Sequence, residues 1–335
     1  MVTSKPSDAS TTVSAAAAAA AASPRNGTRP NDEVVVYFEG DYVPFKDAKV
    51  SIMTHSFLYG TAVFEGIRAY WNAEQGQLYL LKLREHYERI LDSCKILMMD
   101  PGMSVDDLME ATAEVIRRNE YREDTYIRAT IYKSTEAIGV RLHNVACETN
   151  ILAIPFGNYI STDTGIKCGT VSWRRTSDLS IPSRAKIVGS YVNPAFSKTE
   201  AMLNGFDEAI VLTHDGHVSE GSAENLFMVR KGEIITPGVH QDILEGITRA
   251  GLIQLAKQEL GLTVTVRDID RSELYIADEV FLCGTGAQVS PVTSIDHRPV
   301  GTGEIGPITA TISKAYFDAV RGRIPAYSSW LTPVY

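Results

Sequence analysis

The chain has 335 residues, 44% hydrophobic and 22% charged, an ordinary globular composition that excludes a disordered or fibrous protein. Lys and Arg number 32 against 41 Asp and Glu, a net charge of −9 that argues against a nucleic-acid partner while leaving room for a local basic pocket that takes a small anion. A length of this order predicts about two domains.

Residues 1–30 read as a mobile tail, rich in Ala and Ser around Ala15–Ala22. That apolar run is shorter than the ~20 residues a bilayer needs and lacks the positive start of a secretory signal, although its acid-poor character also suits a transit peptide. Order is expected from Val34, where Val34–Phe38 and Tyr42–Phe45 flank Glu39-Gly40-Asp41 as a hairpin. A strand over Gly60–Tyr70 and another over Leu78–Leu81 follow. Ile90, Leu91, Cys94 and Leu97 recur at helical spacing and predict a helix over Arg84–Met98. Ser104 with Asp107 forms a capping pattern and opens a helix to about Asn119. Tyr126–Tyr132 and Thr149–Ile154 read as strands, and the turn-rich Pro155–Gly165 as a linker. Beyond it, strands are expected at Lys167–Val171, Glu208–Leu212, Leu226–Arg230, Glu233–Thr236, Thr263–Arg267 and Glu279–Cys283. Helices are expected at Pro194–Asn204, Thr248–Leu260, Ser272–Ile276 and Ile308–Val320. Strands and helices mix without a regular βαβ rhythm.

Several motifs carry no chemistry. Gly301–Gly306 fits G-x-G-x-x-G, but it lies too near the end of the sequence to open a dinucleotide-binding unit, so it reads as a loop before the last helix. Glu220-Gly221-Ser222-Ala223 is not the G-x-S-x-G of a hydrolase elbow. Cys94, Cys147, Cys168 and Cys283 are far apart and suit a reducing cytoplasm rather than a disulfide framework. The histidines are scattered, so no metal site is expected.

The chemistry concentrates in an ordered set in the second half. Lys186 lies among small residues with Tyr191 five positions on. Glu220 and Asn225 come next, then Gly246-Ile247-Thr248-Arg249, whose glycine opens a helix. A helix start offers free N–H groups and a positive dipole end, a seat for phosphate. Gly284-Thr285-Gly286-Ala287 is a second N–H-rich turn able to cradle an anion. A lone lysine is usually a surface charge and a lone glutamate usually a solvated one; the order of the set is what points to function.

In that order the pieces resemble the branched-chain amino acid aminotransferases among the fold-type IV, class IV pyridoxal-phosphate enzymes. The similarity runs from about Val34 to Gly322. It is carried by Phe64-Glu65-Gly66-Ile67-Arg68, Arg84-Glu85-His86, Tyr126-Ile127-Arg128, the lysine segment, Ser219-Glu220-Gly221 with Glu224-Asn225, Gly246–Arg249 and Ala277-Asp278-Glu279. The resemblance implies a mixed α/β (α+β) fold, with a small N-terminal α/β domain over 31–155, a linker over 156–163 and a larger domain over 164–335. Pyridoxal 5'-phosphate would lie in the cleft between them. Lys186 would hold the cofactor aldehyde and shuttle a proton, while the helical Lys198 would be a surface charge. Tyr191 would meet the cofactor's phenolic oxygen, Glu220 its ring nitrogen, and Asn225 would shape the same wall. The phosphate would be met by Arg89, the N–H groups of Ile247 and Thr248, and the hydroxyls of Thr248 and Thr285.

For the substrate, the resemblance implies Tyr126 with the backbone of Gly286 and Ala287 as the α-carboxylate seat. Tyr59, Phe64, Ile138, Val140 and Tyr159 would form the apolar pocket, some of it lent by a neighbouring subunit, with Gly66 and Arg68 in the same substrate-binding set. Arg128, with the hydroxyls of Tyr59 and Tyr159, would receive the distal carboxylate of glutamate. The chain departs from many relatives at Phe156, Gly286-Ala287 and Gln288, all positions of the pocket wall. The implied reaction is reversible transfer of the amino group of Leu, Ile or Val to 2-oxoglutarate by a cytoplasmic homodimer or higher homo-oligomer, with no nucleic acid or membrane involved. A D-amino acid or (R)-amine transaminase and an aminodeoxychorismate lyase share the fold and stand as alternatives, and Tyr126-Ile127-Arg128 favours the branched-chain reading.

Overall fold

The computed structural model describes residues 30–157 and 162–335, so the expected tail and Tyr159 lie outside the described residues. The first sheet contains β1 (Val35–Phe38), β2 (Asp41–Pro44), β3 (Ala62–Asn72), β4 (Gln77–Leu81), β5 (Thr125–Lys133) and β6 (Cys147–Pro155). The second contains β7 (Ile166–Arg174), β8 (Glu208–Leu212), β9 (Val218–Gly221), β10 (Asn225–Arg230), β11 (Glu233–Thr236), β12 (Val264–Val266), β13 (Glu279–Gly284), β14 (Gln288–Ile295) and β15 (Arg298–Pro299). A last strand, β16 (Leu331–Pro333), returns to the first sheet, whose order is β16-β4-β3-β5-β6-β1-β2. The second sheet runs β12-β11-β10-β13-β14-β7-β8-β9, with β15 on β14. The helices are α1 (His55–Tyr59), α2 (Leu83–Ile96), α3 (Val105–Asn119), α4 (Val192–Leu203), α5 (Ile247–Gln258) and α6 (Pro307–Val320).

Each sheet buries one helical layer. In α2, Leu83, Tyr87, Ile90 and Cys94 recur at three- and four-residue steps and share a core with Val63, Ile67, Ile127 and Ile151 of the first sheet. The Ser104–Asp107 capping box that starts α3 forms as expected, each side chain taking the other residue's N–H. Leu252 and Leu255 of α5 and Ile312 and Tyr316 of α6 pack with Phe227, Phe281 and Val289 of the second sheet. β3 serves both halves: Ile67 faces the first core, while Tyr70 joins the second and meets Tyr316 hydroxyl to hydroxyl at 3.1 Å. It is therefore buried along nearly its whole length instead of alternating.

Several elements differ from the sequence reading, among them α1, β9 and β15, which it does not contain. β14 has no counterpart there because Pro291 lacks an N–H and signals an edge, yet this strand sits between β13 and β7. The helix expected at Ser272–Ile276 is a 3₁₀ turn over Arg271–Ile276, opened by an Asp270–Glu273 capping box. The expected second domain runs to residue 335, but Leu331–Pro333 pairs with β4, covering an edge that would otherwise expose unpaired backbone groups.

Candidate active site

A cavity of about 620 Å³ opens between the two sheets, within the range for small-molecule sites. Lys186 enters it from a segment stitched to β3. Phe64 N–H donates to Lys186 O at 3.0 Å, Val188 N–H to Ala62 O at 2.8 Å, and Lys186 N–H to Ser93 Oγ at 3.2 Å. With the main chain fixed on both sides, Nζ donates to Tyr191 Oη at 2.6 Å, and Phe64 packs edge-on against the Tyr191 ring. Lys198 does not line the cavity; it lies on α4 and pairs with the buried Glu208 at 2.6 Å, so it is an ion-paired group rather than a plain surface charge.

Glu220, on β9, is buried in the cavity wall. Arg175 Nη2 lies 2.6 Å from Oε1, and Asn225 Nδ2 and the Leu244 N–H donate to Oε2 at 2.9 and 3.3 Å. Burial pushes this carboxyl above its ordinary value, against the opposing pull of Arg175. Asn225 also donates to Leu244 O at 3.0 Å, and its Oδ1 stands where a Cβ on Gly246 would fall, which explains the glycine before α5. Arg175 escapes sequence reasoning; its position just after β7 carries no motif, and only the buried acid facing it reveals it.

The starts of α5 and α6 contrast. At α6, the Glu279 carboxylate accepts from the N–H groups of Ile308 and Thr309 at 3.0 and 2.6 Å, so the Gly301–Gly306 segment leads to an occupied terminus. At α5 the N-cap Gly246 makes no side-chain cap. The N–H groups of Ile247 and Thr248 have no backbone acceptor among the described residues, and both residues line the cavity with Thr285. This terminus is an open anion seat.

Arg89 reaches the same end of the cavity from α2. Its Nε and Nη2 each donate to the Glu65 carboxylate at 2.7 Å and Nη1 to Glu245 O at 2.8 Å. The fork expected to face a phosphate is therefore closed on Glu65. Of five guanidinium N–H groups, one on Nη1 and one on Nη2 stay uncommitted among the described residues. Glu65 also meets His86 Nδ1 at 2.7 Å. Burial would raise the Glu65 carboxyl, but Arg89 and His86 together hold it at about 2, while burial lowers the pKa of His86 against the opposing pull of Glu65. A glutamate inside the apolar run Ala62–Ile67 was the available signal for such a buried pair.

On the substrate side, Phe64, Gly66, Tyr126, Arg128, Phe156, Gly286 and Ala287 all line the cavity. Arg128 Nε and Nη2 donate to Tyr126 Oη at 3.1 and 2.7 Å, and its Cζ lies 4.3 Å from the Phe64 ring centre. A Cβ on Gly66 would come within 2.5 Å of Tyr126 Oη, so glycine is what admits that ring. Four of the expected substrate-side residues do not line this chain's cavity. Ile138 and Val140 are 81% and 74% exposed and, like Tyr59, do not line this chain's cavity. The cause is local: Tyr59 Oη accepts the Gly139 N–H at 3.0 Å and a His55 ring nitrogen meets Gly139 O at 2.8 Å, so α1 and this loop form one outward rim. Arg68 is buried behind the wall with its guanidinium on main-chain carbonyls.

The amino-transferase class IV family model matches residues 62–295. A probable branched-chain-amino-acid aminotransferase of Aquifex aeolicus is 52% identical over 299 residues, covering 89% of this chain and 96% of the relative. The branched-chain aminotransferase of Thermoproteus uzoniensis, solved with norvaline, is 42% identical with a TM-score of 0.87 over 90% of this chain and 99% of that one. The branched-chain amino acid aminotransferase of Thermobaculum terrenum, solved in its PLP-form, is 36% identical with a TM-score of 0.87 over 91% and 100%.

Proposed function

The chain belongs to the class IV aminotransferases, and from that premise we propose how its residues divide the work. It is a pyridoxal 5'-phosphate-dependent transaminase of branched-chain amino acids. The cavity fits that cofactor: it offers a primary amine, a buried carboxylate, an open helix start and an arginine with spare donors. When bound, the cofactor supplies an electrophilic carbon for the amino group and a ring that draws electrons from the carbon losing its proton.

The protein's own groups do the rest. Lys186 Nζ would anchor the cofactor, and the same amine would take and return the proton at the substrate α-carbon. Tyr191 Oη, 2.6 Å away, orients that amine. Glu220 holds a proton against the ring nitrogen, with Arg175 and Asn225 fixing both carboxylate oxygens. Ile247, Thr248, Thr285 and the two spare N–H groups of Arg89 take the phosphate. Tyr126, Gly286 and Ala287 seat the α-carboxylate; Phe64 and Phe156 exclude water from the side chain. Arg128, with Tyr159, receives the distal carboxylate when glutamate or 2-oxoglutarate binds, and otherwise rests on the Tyr126 hydroxyl.

We assign the rim of α1 and residues 134–142 to a second copy of the chain, because Ile52, Phe57, Ile138 and Val140 expose apolar side chains there. Tyr59, Ile138 and Val140 then complete the partner's pocket. We read 31–155 and 164–335 as two domains, with β16 belonging to the first. Among the described residues no helix is long and apolar enough to cross a membrane. The four free cysteines suit the cytoplasm, and the net charge of −9 does not suit nucleic acid.

The observation that carries this reading is the company Lys186 keeps: its amine meets Tyr191 in the same cavity as buried Glu220 and the bare start of α5. Purified Lys186→Ala is expected to be colourless and unable to form L-glutamate from L-leucine and 2-oxoglutarate. A yellow, active variant overturns the assignment.

A further inference from the structure

Arg68 follows Phe64 and Gly66 along one face of β3, but where they line the cavity it is 1% exposed. Among the described residues, all of its hydrogen bonds go to main-chain carbonyls. Nη1 donates to Phe156 O at 3.1 Å and Nη2 to Gly157 O at 2.7 Å, both at the start of the interdomain linker. Nε donates to Thr285 O at 3.2 Å, and Nη2 lies 3.5 Å from Gly286 O, both in the turn between β13 and β14. The Phe156 ring centre is 5.0 Å from Cζ. A buried cation matched only by carbonyl dipoles is costly, and the carbonyls that offset the cost are held in one orientation by it.

Peptide planarity carries that orientation further. In a trans peptide the C=O of one residue and the N–H of the next point in opposite directions. With the carbonyls of Thr285 and Gly286 turned onto Arg68, the N–H groups of Gly286 and Ala287 turn away from it. Both residues line the cavity, and neither N–H has a backbone acceptor among the described residues. The turn closes on Gln288, whose φ of 58° is rare for a side chain of this kind and holds only where the surroundings fix it.

Resting on the aminotransferase reading, we propose that Arg68 is a positioning residue. It aims the N–H groups of Gly286 and Ala287 at the substrate α-carboxylate, and it yokes that cradle to the linker residue Phe156 in the pocket wall. Arg68 itself touches neither substrate nor cofactor.

Arg68→Lys keeps the charge and removes the fork. Wild type and variant are compared with L-leucine and with 3-methylbutylamine, which has the same side chain without the carboxylate, and are titrated with 4-methylvalerate, a carboxylate without the amine. The kcat/KM ratio of L-leucine to the amine is expected to fall roughly 10- to 100-fold, the worth of a hydrogen bond to a charged group, with a parallel rise in the Kd of 4-methylvalerate. If the variant is not obtained folded, the same readings are taken on Arg68→Gln. A ratio and Kd that stay at the wild-type values, even with both turnover rates reduced, make Arg68 a plain structural staple and overturn the proposal. Failure of the wild type to turn over L-leucine counts against the function alone, and the 4-methylvalerate titration still decides the role of Arg68.

Discussion

Replacing Glu65 by Gln removes a buried anion from between Arg89 and His86 while keeping the outline of the side chain. Three hydrogen bonds of 2.7 Å converge on that carboxylate. Burial acts to raise its pKa, yet Arg89 and His86 carry it down to about 2 from 4.5. At about 1.4 kcal/mol for each tenfold change, the pairing stabilises the fold by about 3 kcal/mol, in line with the ~3–5 kcal/mol lost when a buried pair is broken from one side. Because the folded carboxyl titrates below its unfolded value, this stability is fully present above pH 4.5 and is lost as pH falls towards 2. Cofactor-stripped wild type and Glu65→Gln, unfolded in urea at neutral pH, should therefore differ by about 3 kcal/mol, with the gap narrowing on acidification. A gap below about 1 kcal/mol, typical of an exposed pair, or one that widens as the pH drops, would show that Glu65 does not hold Arg89 in this way.

Other substitutions probe separate parts of the site. Arg175→Met takes from Glu220 the guanidinium that lowers its pKa; the acidic limb of the kcat profile should move to higher pH, and an unmoved limb would remove Arg175 from the site. Gly66→Ala places a methyl 2.5 Å from Tyr126 Oη; the Tyr126 ring must shift, which should appear as a raised KM for L-leucine with the urea midpoint little changed. Ser104→Ala removes the cap of α3 and should cost about 1 kcal/mol in urea unfolding with kcat unaffected; a changed kcat would place α3 closer to the chemistry than its position indicates.

What could be read beforehand depended on how local the signal was. The α3 capping box and the periodic face of α2 are set by neighbours three and four residues apart, and both form where expected. Lys186, Glu220 and the start of α5 were legible because order along the chain identifies them together. Orientation was not legible. Arg68 belongs to the same motif as Gly66, yet it turns to the carbonyls of two distant loops that no spacing reveals. Ile138 and Val140 are apolar yet stand exposed and away from this chain's cavity, because apolar character says that a side chain is to be covered and not by what. Pro291 hid β14, since a missing N–H is tolerated mid-sheet only through pairings made elsewhere in the fold.

The pairing of β16 with β4 also constrains biosynthesis. Leu81 must wait for Leu331 before the edge of its sheet is sealed, and the Trp330 carbonyl that receives the Lys82 N–H arrives just as late. The N-terminal half therefore leaves the ribosome with one flank bare, at a stage when unpaired edges invite misassembly. Sealing of the first sheet therefore waits on the synthesis of Leu331–Pro333, and a nascent chain halted short of residue 331 should be the form most in need of a chaperone.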